Sequence, residues 1–576
     1  MDPDRPWLRY YGDVPATLDY PEVTMAEALM QTAVRCPYAV AFDFFGTTMT
    51  YRRFAAAIDR CAAALHAMGL RPGDRFTIAM PTCPQAVICF YAVNRLGAVA
   101  SMIHPLSTAT EIDFYLNLSR SRFALTLDAF YAKFRQVCDD TPLERLILAR
   151  IPDYLGWIKR IGFNLTKGRK IAPVPADDRV VWWQAMMTAS HPAAPAGNAG
   201  FEDLAVILYS GGTTGKPKGI MLSNRNFISE GMQVSAWGNL AEGDAILAIL
   251  PVFHGFGLGV CLNAAFMGGA RSIMVPQFTP ETVARLIRAK RPNFIVGVPT
   301  LFEALNRDPC FCRTDLGCIK AAFSGADTLP RCVKERFEET VRRQGGSTQL
   351  REGYGLTEAV TAIMAMPITE YREHSIGVPF PDMHAKIVRT ETTEELPPGE
   401  EGEICISGPA VMMGYLDQPE ETAKTLQTHP DGRVWLHTGD IGTMDADGFF
   451  YFRLREKRMI KSSGMNVYPA QVEDQLYKHP DVLEACVIGI PDARQMERVK
   501  AFVVLKDPAK AGPEMEKALI DFCRRDLIIW SCPREIAFRG ELPLTLVGKV
   551  AFAQLVEEEL EKLGAAANVC YEPESE

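Results

Sequence analysis

The segment Tyr209–Gly219 reads YSGGTTGKPKG, and its residue types are those of a phosphate-holding loop. Glycines let a backbone come close to a ligand, while Ser210, Thr213 and Thr214 carry hydroxyl donors. Lys216 and Lys218 add positive charge. The spacing is not that of the Walker loop, GxxxxGK[ST] between a strand and a helix. Ser210 stands where that loop needs its first glycine, and Pro217 where it needs a magnesium-binding hydroxyl. Proline also lacks an amide and suits a helix start there poorly. The following KGIMLS reads as a strand. The loop is therefore expected to join strand LAVILYS to strand KGIMLS as a hairpin. Its candidate phosphate ligands are Ser210, Gly211, Gly212, Thr213, Thr214, Gly215, Lys216 and Lys218. A merely flexible hairpin is the bland alternative, and two adjacent threonines inside a Gly/Lys loop argue against it.

YSGGTTGKPKG resembles the signature loop of the adenylate-forming superfamily. That family includes acyl- and aryl-CoA synthetases, peptide-synthetase adenylation domains and beetle luciferases. Further segments resemble its other motifs, in order, over roughly Leu29 to Phe552. PVFHGFG (Pro251–Gly257) resembles the block beside the substrate carboxylate, where His254 would orient substrate or gate its entry. SGAD (Ser324–Asp327) resembles the turn lining the adenine and acyl pocket, giving Gly325 and Ala326. In GYGLTE (Gly353–Glu358) Tyr354 offers a ring for adenine and Thr357 a hydroxyl for the α-phosphate. Glu358 is a hard oxygen ligand for Mg²⁺. GPAVMMGYLDQPEET (Gly408–Thr422) resembles a largely architectural block. HTGD (His437–Asp440) resembles the block whose aspartate, Asp440, takes both ribose hydroxyls. REKRMIKSSGMNVYP (Arg455–Pro469) resembles the hinge, with Arg455 on ribose or phosphate, Lys457 at the swivel and Gly464 near the pantetheine thiol. PLTLVGKV (Pro543–Val550) resembles the last motif, whose Lys549 would neutralise charge between carboxylate and α-phosphate. Leu454, where the family usually has glycine, and Arg458, where an acidic residue is common, depart from the pattern. Neither removes Arg455, Lys457 or Lys549.

The resemblance implies ATP, Mg²⁺ and CoA as cofactors and two half-reactions. A carboxylate is first adenylated, with release of pyrophosphate. A thiol then displaces AMP after the C-terminal domain rotates. Only 26 residues follow Val550, too few for a carrier domain, which favours free CoA. VFHGFG is apolar and aromatic, without the aspartate of amino-acid-activating relatives, so a hydrophobic acid is expected, a fatty acid first. An aryl- or bile-acid-CoA ligase and an acyl-AMP ligase loading a carrier protein are the alternatives. A phosphotransferase of the Walker type is disfavoured by Pro217. A non-catalytic scaffold is disfavoured by the presence of Glu358 and Lys549.

These residues need a framework to hold them. Phe54, Ile58, Cys61, Leu65 and Met68 are spaced as one face of a helix, which Gly69 ends. RFTIAM then reads as a strand, PQAVICFYAVNRLGA as a helix and VASMIHPL as a strand. TPETVARLIRAKRPNFIVGVPT repeats the alternation. Strands alternating with helices imply parallel sheets covered on both faces. From about Gly377, short β segments (AKIVRT, GEICISG, GFFYFRL) imply a β-rich subdomain. From Arg455 a small α+β unit follows, with a helix near AQVEDQLYKHP, strands EACVIGI and VKAFVVLKD, and a helix near MEKALIDFCRRDL. The fold class is thus α/β: a large N-terminal domain (1–454) of helix-covered sheets plus a β-rich subdomain, then a small mobile α+β domain (455–576). AAANVCYEPESE is expected to be a loose tail.

At 576 residues and a formal charge of −9, the chain can bury a large core and is a poor general binder of nucleic acid. MDPDRPWLRYYGD has no signal-peptide pattern, and the 15 scattered cysteines read as thiols of a reducing cytoplasm. Cys310, Cys312 and Cys318 lack the spacing of a zinc site. Ala245–Ala270 is apolar enough to span a membrane, but Pro251, His254 and its glycines favour a strand, a loop and a buried helix. In Pro152–Lys170, Tyr154, Ile158, Ile161 and Leu165 could share a helical face, with Lys159, Arg160, Lys167, Arg169 and Lys170 around it. A solvated helix packed on the domain is favoured there over a membrane-surface patch.

Overall fold

The structure, a computed structural model, describes residues 5–195, 197–210, 217–455, 460–462, 465–467, 469–492, 496–545 and 550–569. Within these, the side chains of 454, 455, 461, 465, 466, 496 and 564–569 lie outside the description. Gly211 to Lys216, Lys457, Gly464 and Lys549 therefore fall outside the described residues, and Arg455 is placed by its backbone alone.

Among the described residues the strands form four sheets, of nine, eight, five and five strands. The two large sheets are mostly parallel. One runs through Ala245–Ala248, Phe294–Gly297, Ala321–Ser324 and Leu350–Gly355. The other runs through Arg75–Ala79, Val99–Met102, Phe123–Leu127 and Leu204–Ser210. Their strands are short apolar runs such as AILA, FIVG and FALTL, as parallel strands covered on both faces must be.

The helices between them follow their sequence faces. In Tyr51–Ala67 the predicted stripe of Phe54, Ile58, Cys61 and Leu65 is fully buried, while Asp59 and Arg60 face solvent. Gly69, at φ +99°, turns the chain after it. Helix Pro84–Arg95 is buried from Pro84 to Asn94, because rings of other elements close on it. Tyr91 meets Phe54 and Phe266, and Phe90 meets Phe227, at centroid separations of 5.9 to 6.1 Å. The expected β-rich subdomain is the five-stranded sheet of His384–Val388, Gly402–Ser407, Leu426–Thr428, Val434–Met444 and Phe450–Arg455. One apolar core extends to Phe450, and a separate one begins at Ile460.

Ala245–Ala270 does break into a strand, a loop and buried helical turns at Phe256–Asn263 and Ala264–Gly268. Among the described residues no helix is long and apolar enough to cross a membrane. Two expectations need correction. The tail is not loose from Ala565: helix Phe552–Val569 runs through it, and 570–576 lie outside the described residues. Helix Trp157–Leu165 is solvated, but it is not packed along its length. None of its residues is buried, and Trp157, Ile158, Ile161 and Leu165 are each more than half exposed. It is tethered at one edge, where Lys159 donates to the Phe45 carbonyl, so the apolar face points outward.

Candidate active site

The predicted hairpin is present. Leu204–Ser210 pairs antiparallel with Lys218–Ser223, and Ser210 faces Lys218 at the end of the ladder. Both residues line a cavity of about 1510 Å³. That exceeds the ~300–1,000 Å³ usual for small-molecule sites. His254, Gly325, Ala326, Tyr354, Thr357 and Glu358 line the same cavity. Four sequence motifs thus converge from the ends of different strands, where open α/β sheets bind ligands.

Local geometry explains the glycines in two of these motifs. After Glu358 the chain makes a γ-turn at Val360, φ +63° and ψ −66°, closed by Thr361 N–H donating to Ala359 O at 2.7 Å. This turn is rare and strained, the more so for a β-branched residue. It persists because its carbonyls are clamped: a Cβ on Gly255 would overlap Val360 O, and one on Gly355 would overlap Thr361 O. Gly355 of GYGLTE and Gly255 of PVFHGFG therefore hold one strained turn between them, fixing Glu358 relative to His254. In the SGAD turn, Gly325 approaches Gly353 O closely, and Ala326 adopts φ +72°, a conformation that costs a non-glycine residue.

Hydrogen bonds link the polar groups. Tyr354 Oη donates to Asp440 Oδ2 at 2.6 Å, so Tyr354 is tied to the predicted ribose ligand as well as offering its ring. Asp440 is buried, and Arg455 is its cross-strand neighbour, which brings the two predicted nucleotide contacts to facing positions. Tyr415 Oη donates to Glu358 Oε1 at 3.1 Å. Lys218 has a partner unforeseen in the sequence: its Nζ lies 2.8 Å from Glu421 Oε2 and over the Tyr415 ring. Hydrogen bonding to Lys218 and Lys424 pulls the Glu421 carboxyl down to about 2. His254 Nδ1 accepts from Phe256 N–H at 3.2 Å, which orients the ring beside the cavity.

Sequence reasoning missed several lining residues. His104 sits 4.4 Å from Phe253 by ring centroid, and burial lowers its pKa. Its only signal was a lone histidine after a strand. Val234, Trp237, Leu240, Ile246, Phe294 and Val296 add apolar lining to the cavity. They lie on a helix, its exit and two strands, and share no motif. From the C-terminal unit, Thr545, Phe552 and Ala553 line the cavity too. Leu544 bridges Val550 across the segment that carries Lys549.

The chain is 36% identical over 572 residues to a long-chain-fatty-acid–CoA ligase of Bacillus subtilis, covering 97% of this chain and 99% of that protein. It is 31% identical over 519 residues to a feruloyl-CoA synthase of Amycolatopsis, covering 89% and 94%. ATP-bound MatB from Rhodopseudomonas palustris superposes with a TM-score of 0.80 at 25% identity, covering 92% and 98%. The o-succinylbenzoate CoA synthetase of Bacillus subtilis with its acyl-adenylate gives 0.75 at 26%, covering 93% and 98%. Residues 29–416 match the AMP-binding enzyme family and residues 471–549 its C-terminal domain; the chain belongs to the AMP-binding enzyme family.

Proposed function

We propose that the protein is a fatty-acid–CoA ligase. It forms acyl-AMP and pyrophosphate from ATP and a hydrophobic acid, then transfers the acyl group to CoA with release of AMP. The observation that carries this reading is a single cavity lined both by the nucleotide motifs and by the apolar set from Val234 to Val296. An acid with its carboxylate beside His254 and Thr357 lays its chain against that apolar set. Its oxygen attacks the α-phosphorus and pyrophosphate leaves; the thiolate of CoA then attacks the carbonyl and AMP leaves.

The residues have distinct roles in this proposal. Asp440 and Tyr354 hold the nucleoside, with Gly325 and Ala326 against the base and Arg455 beside Asp440. Ser210, Lys218 and the loop 211–216 take the phosphates, and Lys218 exchanges Glu421 for phosphate when ATP enters. Lys549 neutralises charge in the first step, and Lys457 and Gly464 serve domain rotation and thiol approach. We place the domain division at 454/455, next to the change of core. Glu358 fits Mg²⁺: its carboxylate lines the cavity, offers about four lone-pair sites and spends one on Tyr415. The ion would supply neutralisation of phosphate charge there.

Kinship to long-chain ligases at 33–36% identity favours a long chain over the aryl acid of the feruloyl-CoA synthase. The outward apolar face of Trp157–Leu165, bordered by Lys167, Arg169 and Lys170, supports weak contact of 152–170 with an anionic membrane surface, the source of such an acid. The test is ATP–pyrophosphate exchange with acids of increasing chain length and with aromatic acids, followed by thioester assay on adding CoA. Long acids should stimulate exchange most. Exchange with aromatic acids alone overturns the fatty-acid reading, and exchange without thioester overturns CoA as acceptor.

A further inference from the structure

A group outside the proposed chemistry lies on one face of the five-stranded sheet. Cys405 on Gly402–Ser407 faces His437 on Val434–Met444, and His429 follows Leu426–Thr428. Their donor atoms, a thiol sulfur and two ring nitrogens, all lie within 4.8 Å of one another. The His429 and His437 Nε2 atoms are 3.0 Å apart. Tetrahedral zinc with bonds of about 2.05 Å sets two such nitrogens roughly 3.3 Å apart, and nitrogen and sulfur about 3.6 Å apart. The nitrogens lie about 0.3 Å inside that spacing, and the thiol, within 4.8 Å of both, must close the remaining gap.

The surroundings favour a cation. His437 Nδ1 is 2.7 Å from Glu403 Oε2, and Glu403 Oε1 accepts the Gly439 N–H at 2.8 Å. A carboxylate that takes the Nδ1 proton leaves the His437 Nε2 lone pair aimed at His429. This carboxylate–histidine pairing is the outer support typical of zinc ligands. Lys386, the other cross-strand neighbour of Cys405, opposes a cation, but its Nζ lies 3.5 Å from Asp431 and 4.1 Å over the Trp435 ring. Glu403 and His437 also line the large cavity, which provides an entry path.

We propose that Cys405, His429 and His437 bind one divalent cation of borderline softness, zinc, backed by Glu403. A sulfur and two imidazoles suit zinc and not the hard Mg²⁺. The thiol proton leaves to solvent as the ion binds, and the proton shared by the two Nε2 atoms moves to His429 Nδ1, which frees both Nε2 lone pairs for the ion. The bound ion would staple two strands and a turn together, three residues from Asp440.

The test uses full-length protein, its thiols reduced and its metal stripped, titrated with cobalt(II) and then zinc. One equivalent of cobalt is expected to give a sulfur-to-cobalt charge-transfer band and the intense visible bands of a four-coordinate ion, with zinc displacing it. Cys405→Ser should abolish the charge-transfer band, and His429→Gln should weaken cobalt binding at least about tenfold. No band in the unmodified protein, or a band that survives Cys405→Ser, overturns the proposal. The first result leaves an ordinary N–H···N hydrogen bond, and the second assigns the ion to another thiol. If Cys405→Ser does not fold, unchanged cobalt affinity in His429→Gln overturns it instead.

Discussion

Tyr354 Oη reaches the buried Asp440 at 2.6 Å, and a hydrogen bond to a charged group is worth about 1.5–3 kcal/mol. Tyr354→Phe is therefore expected to raise KM for ATP by about tenfold or more while leaving KM for the acid nearly unchanged. Steady-state kinetics with each substrate varied in turn checks this, and an equal rise in both constants would contradict it. Gly355 gives a sharper test. Its Cβ would overlap Thr361 O, a backbone atom inside a strained turn. Gly355→Ala should cost about 3 kcal/mol or more, measured by denaturant unfolding. The sequence identified Tyr354, Asp440 and the glycine motifs by type and order. It could not reveal that Gly355 and Gly255 clamp one turn, because nearly a hundred residues separate them and only the sheet brings them together. The cluster of Cys405, His429 and His437 was invisible for the same reason: its residues come from two strands and a turn, without the close pairs that mark a zinc motif.

Helix Trp157–Leu165 carries its own test at the scale of an element. Gly162 sits mid-helix with open space around its Cβ position. Gly162→Ala should then stabilise the helix by up to about 1 kcal/mol, without steric cost. The exposed apolar face predicts the opposite contrast for polarity. Trp157→Glu with Ile161→Glu should leave the melting temperature nearly unchanged and abolish co-sedimentation with anionic vesicles. Unchanged sedimentation would remove the membrane reading. Periodicity found this helix and its apolar face. It did not show which way the face points, because orientation depends on one contact from a distant turn, Lys159 to Phe45 O.

At the scale of the whole molecule, a buried carboxylate makes stability depend on pH. Glu230 is fully buried, neither carboxylate oxygen has a hydrogen bond of good geometry among the described residues, and burial, opposed weakly by the Ala362 backbone N–H, raises its pKa from 4.5 to about 8. The folded state thus holds a proton that the unfolded state has lost between those values. Its stabilising contribution is complete below pH 4.5 and declines by about 1.4 kcal/mol per pH unit up to about pH 8. Glu230→Gln should flatten that decline, and chemical denaturation at pH 5, 6, 7 and 8 measures it. An identical slope in both proteins would rule Glu230 out. Two separate cores also predict two calorimetric transitions, the smaller from 455–576.

By itself the sequence determined the family, the alternation of strands and helices, the hairpin at Ser210 and Lys218, and the motifs that line the cavity. These are carried by local patterns, where a few adjacent residues suffice. Only the tertiary structure decided what shares the cavity, which way the 157–165 face turns and which apolar residues line the cavity beside the motifs. Those depend on residues far apart in the chain, and sheet packing, not spacing, sets their distances.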